Sequence, residues 1–104
     1  MKVRIQFLGG FQQFGVEPEL ELSLTAGDDL RSLAEELGRL YGPQLLHYLL
    51  SPTGERRPGL AVLLNGIESA LGEGLDSHMK EGDTVTFLPV IGGGAVLHLR
   101  HRQW

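Results

Sequence analysis

The 104-residue chain is 41% hydrophobic and 21% charged, with 15 glycines, 5 prolines and no cysteine, a composition that points to one small domain with one core. A chain of this size buries roughly 60 to 70% of its unfolded surface and folds without staples, and the missing cysteines exclude thiolate catalysis, cysteine-ligated zinc and iron–sulfur chemistry. The formal charge of −4 argues against a nucleic-acid partner, whose phosphates demand clustered cations, and no apolar run approaches the roughly 18 residues of a membrane span, so the expectation is a cytoplasmic protein without a membrane partner.

Residues 3 to 8 set Val3, Ile5 and Phe7 against Arg4, Gln6 and Leu8, the period of two of a strand with one apolar face, and Gly9-Gly10 ends it. Phe11 to Val16 reads as a glycine-bearing turn. Glu17 to Leu24 alternates Leu20, Leu22 and Leu24 with Glu19, Glu21 and Ser23, which predicts a half-buried strand with an acidic outer side, paired antiparallel to the first. After Ala26-Gly27 the period changes: Leu30, Leu33, Ala34, Leu37, Leu40 and Tyr41 recur at helical spacing, with Asp28 and Asp29 suited to the N-cap and first turn. This stripe is core and implies no cofactor.

Gly42 and Pro43 stop that helix, and Pro43 opens a second helical segment through about Leu50. Ser51 to Gly59 reads as a surface loop with Arg56 and Arg57 solvated. Leu60 to Leu64 is a buried strand reversing at Asn65-Gly66, a pair favoured in tight turns. Ile67 to Lys80 is irregular, and Glu81-Gly82-Asp83 turns the chain into a last strand, Thr84 to Val90, rich in β-branched and aromatic residues.

Hairpin, helix, strand, irregular crossing and strand, with the last strand free to lie parallel to the first, make an α+β domain of the β-grasp, or ubiquitin-like, type. Its charge is uneven: residues 1–94 carry 7 basic and 13 acidic side chains, net −6, whereas residues 95–104 carry Arg100 and Arg102 without an acid, net +2. The expected organisation is a domain over 1–94 and an extension over 95–104.

Leu64-Asn65-Gly66, Glu81-Gly82-Asp83-Thr84-Val85 and Phe87-Leu88-Pro89-Val90-Ile91-Gly92-Gly93-Gly94, in this order, resemble the MoaD/ThiS family of sulfur carrier proteins, MoaD most closely. The resemblance covers residues 1 to about 93. It implies a substrate that carries chemistry and is not an enzyme: a glycine carboxylate is adenylated with ATP by a ubiquitin-activating-type enzyme (MoeB/ThiF-like) and converted to a thiocarboxylate. No cofactor is bound to the carrier itself. In the MoaD case the sulfur acceptor is the molybdopterin precursor, held on the large subunit MoaE. Aligned on the family ending, Pro89, Val90, Ile91, Gly92 and Gly93 fall into place, with Gly93 reactive and Gly94 shifting the choice by one. Phe7, Phe87, Pro89 and Val90 correspond to residues that dock the activating enzyme and MoaE.

Two glycines have a physical reason apart from any resemblance. A carboxylate is a poor electrophile and must be activated in a site that excludes water from the acyl-adenylate. Backbone without Cβ threads such a narrow channel. Gly94 to Trp104 departs from the family ending, since a carrier needs its glycine carboxylate free. The reading is a precursor trimmed by a metallopeptidase of the JAMM type.

The same residues admit other readings. Gly92-Gly93-Gly94 alone is more often a flexible linker, and no Lys-Ser or Lys-Thr follows to make a phosphate loop. Phe7 and Phe87 are equally well core residues if their strand face is the one turned to the helix. His98 and His101 lack a third ligand, and His47 and His78 lack a nucleophile with an orienting acid, so neither metal binding nor hydrolysis is expected. A ubiquitin-like modifier joined to lysines through the same glycines, and a non-reactive ubiquitin-like binding module, are the alternatives to a carrier.

Overall fold

In the computed structural model, which describes residues 1–90, strand β1 (Lys2–Phe7) runs through the middle of the domain and turns Val3, Ile5 and Phe7 into the core. Strand β2 (Glu19–Ser23) returns antiparallel, with Leu22 opposite Val3 and Leu20 opposite Ile5, so the β2 leucines share the inner face with Val3 and Ile5, and Glu19 and Glu21 take the outer. The connection between them is more than a turn. Phe11–Phe14 form a 3₁₀ turn, and Phe11 and Val16 are buried, because the aromatic side chains anchor a segment whose glycines alone suggest mere reversal.

Strand β3 (Leu60–Leu64), the two-residue β4 (Ile67–Glu68) and β5 (Thr84–Pro89) complete a mixed sheet of order β2-β1-β5-β3-β4. β5 lies parallel to β1 and antiparallel to β3, as the β-grasp reading expects. Asn65 and Gly66 take positive φ of 53° and 84° and close the β3–β4 hairpin, the backbone that such a two-residue turn requires. Between β4 and β5, two 3₁₀ turns at Ser69–Leu71 and Gly74–Asp76 are held by the buried side chains of Leu75 and Met79.

Helix α1 (Leu30–Tyr41) crosses the inner face and buries Leu30, Leu33, Ala34 and Leu37. Its start is set by Asp29, whose Oδ1 accepts the Ser32 N–H at 2.8 Å. Helix α2 (Pro43–Leu49) follows after one residue, with Pro43 at the first helical position. The two helices touch at Gly38, where an added Cβ would lie 2.7 Å from Leu46 Cβ. A helix-interior glycine costs about 1 kcal/mol relative to alanine, and here it permits that approach. Leu40 departs from the expected stripe and is 44% exposed. It lies about 200° around α1 from the Gly38 side that α2 covers.

Arg56 and Arg57 are not a solvated pair. Arg56 Nη1 donates to the Leu60 carbonyl and Arg57 Nε to the His47 carbonyl at 2.6 Å, so both guanidiniums pin the loop after α2. Arg31 adds a third tie, donating from Nε to the Gly54 carbonyl at 2.8 Å and from Nη1 to Asp76 at 2.5 Å. The expected boundary at 94/95 and the extension over 95–104 lie outside the described residues.

Candidate functional site

The end of β5 is the point from which the chain departs toward the three glycines, and two backbone contacts hold it there. Leu8 N–H donates to the Phe87 carbonyl at 2.9 Å, and Val90 N–H to the Gly59 carbonyl at 2.8 Å, so the segment is tied to both neighbouring strands up to Val90. Gly9 closes against the Pro89 ring. It has φ +80°, and a Cβ at that position would stand 2.7 and 2.8 Å from Pro89 Cγ and Cδ. Only glycine meets both demands, left-handed backbone and room for the ring. Pro89 and Val90 are half-buried, at the rim where the sequence analysis places docking. Gly92, Gly93 and Gly94 lie outside the described residues.

Phe7 and Phe87 take the other of the two readings given above. They are 3% and 2% exposed, stacked on each other with ring centroids 5.5 Å apart and an interplanar angle of 16°. Phe11 packs beside both, and Tyr48 of α2 meets Phe11 edge-on at 5.2 Å. The reason is parity: the Phe7 side of β1 and the Phe87 side of β5 face the helices, and their rings fill the core and present no docking surface.

The opposite side of the sheet carries what the sequence reading passed over. Leu8 is 46% exposed, and Leu88 and Leu63 are half-buried. Leu88 pairs with Ala61 and Thr86 with Leu63, which brings these side chains together on the outer face beside the Pro89–Val90 exit. A signal for this was present: Leu8 falls on the polar side of the β1 alternation, where an apolar residue has no core to enter. Below the apolar group, Thr86 Oγ1 donates to Gln6 Oε1 at 2.9 Å, which satisfies a hydroxyl that strand pairing has buried. The charge of this face is mixed. Glu19 and Glu21 line β2, whereas Lys2 and Arg4 line the adjoining β1, so the acidic character belongs to the edge strand.

Asp29 and His78 make structural contacts. Burial raises the Asp29 carboxyl, but the Ser32 N–H, the Ser32 side chain and the charges of Arg31 and His78 outweigh it and leave the pKa lowered from 3.8. His78 is exposed and shares a hydrogen bond from Nδ1 with the Gly27 carbonyl. Among the described residues no three of His, Cys, Asp and Glu come together in a way that could hold a metal, and no helix is long and apolar enough to cross a membrane.

The five-stranded ubiquitin-like β-grasp places the chain in a class whose relatives are small modifiers and sulfur carriers, not catalysts themselves. The chain belongs to the ThiS family, whose model matches residues 5–94. It is 31% identical over 98 residues to small archaeal modifier protein 3 of Haloferax volcanii, covering 90% of this chain and all of that one. It is 26% identical over 94 residues to a candidate sulfur carrier protein of Archaeoglobus fulgidus, again over 90% of this chain and all of the other. Among solved structures, that of Urm1 from Trypanosoma brucei is similar with a TM-score of 0.73 at 29% identity, covering 89% of this chain and 95% of that one.

Proposed function

We propose that the chain is the precursor of a sulfur carrier acting in the cytoplasm, where ATP is available for its activation. The support is that the family match reaches residue 94 and so includes Gly92, Gly93 and Gly94, while β5 and the chain up to Val90 are held to the neighbouring strands. A JAMM-type metallopeptidase removes the residues after Gly93. An adenylating enzyme of the ubiquitin-activating type (MoeB/ThiF-like) then binds the Leu8, Leu63 and Leu88 face together with Pro89 and Val90. The Gly93 carboxylate attacks the α-phosphorus of ATP, pyrophosphate leaves, and a sulfur nucleophile displaces AMP from the acyl carbon on the way to the thiocarboxylate. The first choice of sulfur acceptor is the molybdopterin precursor on a MoaE-like subunit. The carrier contributes a rigid handle and a Cβ-free tip that enters a water-excluding channel.

A second reading is favoured by the 31% identity to an archaeal modifier protein. In it a lysine amine attacks the same acyl-adenylate and forms an isopeptide bond. The test for both incubates the chain ending at Gly93 with ATP and an activating enzyme of this type. The expected result is ATP–pyrophosphate exchange that Gly93→Ala abolishes, followed by the terminal mass gain of oxygen replaced by sulfur. An isopeptide link from Gly93 to lysines of other proteins, left after trypsin as the peptide 81–93 on the lysine, without that mass gain selects the modifier, and no pyrophosphate exchange rejects both.

A further inference from the structure

Strand β2 leaves one side of its main chain open: among the described residues only β1 pairs with it. Leu24 N–H donates to the Met1 carbonyl at 2.7 Å and Phe7 N–H to the Pro18 carbonyl at 2.8 Å, which sets the alternation along the strand. The main-chain groups of Leu20 and Leu22 therefore turn toward β1, and those of Glu19, Glu21 and Ser23 turn outward. Such a row is a template for another strand.

Charge on an open edge decides which strand can join it. The side chains of Glu19 and Glu21 are exposed on the outer face. Glu19 accepts a hydrogen bond from Gln6 Nε2 at 2.9 Å, and Glu21 stands opposite Arg4 in register without forming one of the ion pairs found among the described residues. On the helix side Leu20 and Leu22 are half-buried, and a groove between the end of β2 and α1 is lined by Asp28, Glu35 and Glu36. Arg39 takes up Glu36, which leaves Asp28 and Glu35 to add to the negative potential there. Lys2 and Arg4 lie on the β1 side of β2, away from the open edge. Residues 1–90 carry 7 basic and 13 acidic side chains, so a second copy of the domain is repelled, and a second β2 sets glutamate against glutamate.

We propose that the β2 edge docks an extended, basic segment of a partner protein as a sixth strand, with lysine or arginine side chains beside Glu19 and Glu21 and aliphatic ones between them beside Leu20 and Leu22. The outward N–H and C=O groups of Glu19, Glu21 and Ser23 then pair with the incoming main chain, and the carboxylates select its sequence. β1 lies between this edge and β5, so the docked strand leaves Leu63, Leu88 and the Pro89–Val90 exit uncovered. The domain can therefore be held by one protein while a second engages the exit. Docking needs neither ATP nor an activating enzyme, so its failure leaves the carrier reading standing, and the failure of that reading leaves the docking standing.

Amide hydrogen exchange on the full chain tests this with a synthetic octapeptide that alternates arginine and valine. At saturating peptide the amides of Glu19, Glu21 and Ser23 are expected to exchange at least about tenfold more slowly, while those of Leu20 and Leu22, already bonded to β1, change little. The same peptide N-methylated along its main chain keeps its charge and loses its donors, and should give no such protection. Glu19→Lys with Glu21→Lys should abolish the effect while β1 and β5 amides stay protected, and a peptide alternating glutamate and valine should restore part of it on that variant. Equal protection by the methylated peptide reduces the effect to charge alone and overturns the proposal, as does no protection from either peptide. Slow exchange of the three amides without peptide overturns it too: if it rises with protein concentration alongside a dimer mass, a second copy holds the edge, and if it does not, the chain covers its own edge.

Discussion

Asn65 and Asp83 join two turns that lie 18 residues apart: Asn65 Nδ2 donates to Asp83 Oδ1 at 3.0 Å, while Asn65 Oδ1 accepts the Thr84 N–H at 2.9 Å. Asp83 is buried, and its second oxygen accepts the Lys80 N–H at 2.8 Å. The Asn-Gly turn and the Gly-Asp-Thr-Val turn, separate motifs along the chain, are thus halves of one hydrogen-bonded unit at the end of the sheet remote from the exit. Asn65→Ala leaves Asp83 short of a partner and should cost about 1–3 kcal/mol, read as a lower urea midpoint with an unchanged slope. Asn65→Asp should cost more, because a second carboxylate then faces Asp83.

Gly9 and Pro89 should be coupled. Gly9→Ala places a side chain in left-handed backbone, worth about 1–2 kcal/mol, and sets its methyl against the proline ring. Pro89→Ala in the same chain removes Cγ and Cδ, the two atoms closest to that methyl. The double variant is expected to be more stable than the sum of the single losses implies, by the interaction term of a double-mutant cycle in denaturant. Additive losses would mean that the ring is not what excludes a side chain there.

Leu8 and Phe87 separate docking from folding. Leu8→Asp changes an exposed residue on the outer face and should leave the melting temperature within a few degrees while reducing pyrophosphate exchange by about tenfold or more, the scale of a lost interface contact. Phe87→Ala empties the stacked aromatic core and should cost about 3–5 kcal/mol. The pair is checked by running thermal melts and the exchange assay on the same samples.

Asp29 ties stability to acid. Its pKa is lowered on folding, so its contribution is present above the ordinary value of 3.8 and is lost as the pH falls through the lower folded value. Asp29→Ala should therefore destabilise by about 1 kcal/mol at neutral pH, the worth of an N-cap. That difference should shrink as both proteins are taken well below pH 3.8, measured by urea denaturation at each pH.

The element order, the Asp29 cap and the turn at Asn65-Gly66 were legible along the chain because each rests on local chemistry: alternation, helical spacing, a capping carboxylate and residues that accept positive φ. The last strand was legible for the same reason. Burial by the wider fold was not. Phe11 reads as turn and is core, Leu40 reads as core and is exposed, and Arg56 and Arg57 read as solvated and brace a loop, because each outcome depends on which element arrives from elsewhere. The choice between docking and core for Phe7 and Phe87 was of the same kind. Alternation establishes that a strand has two faces, and only the placement of α1 and α2 decides which face is covered and that Leu8, Leu63 and Leu88 remain on the other.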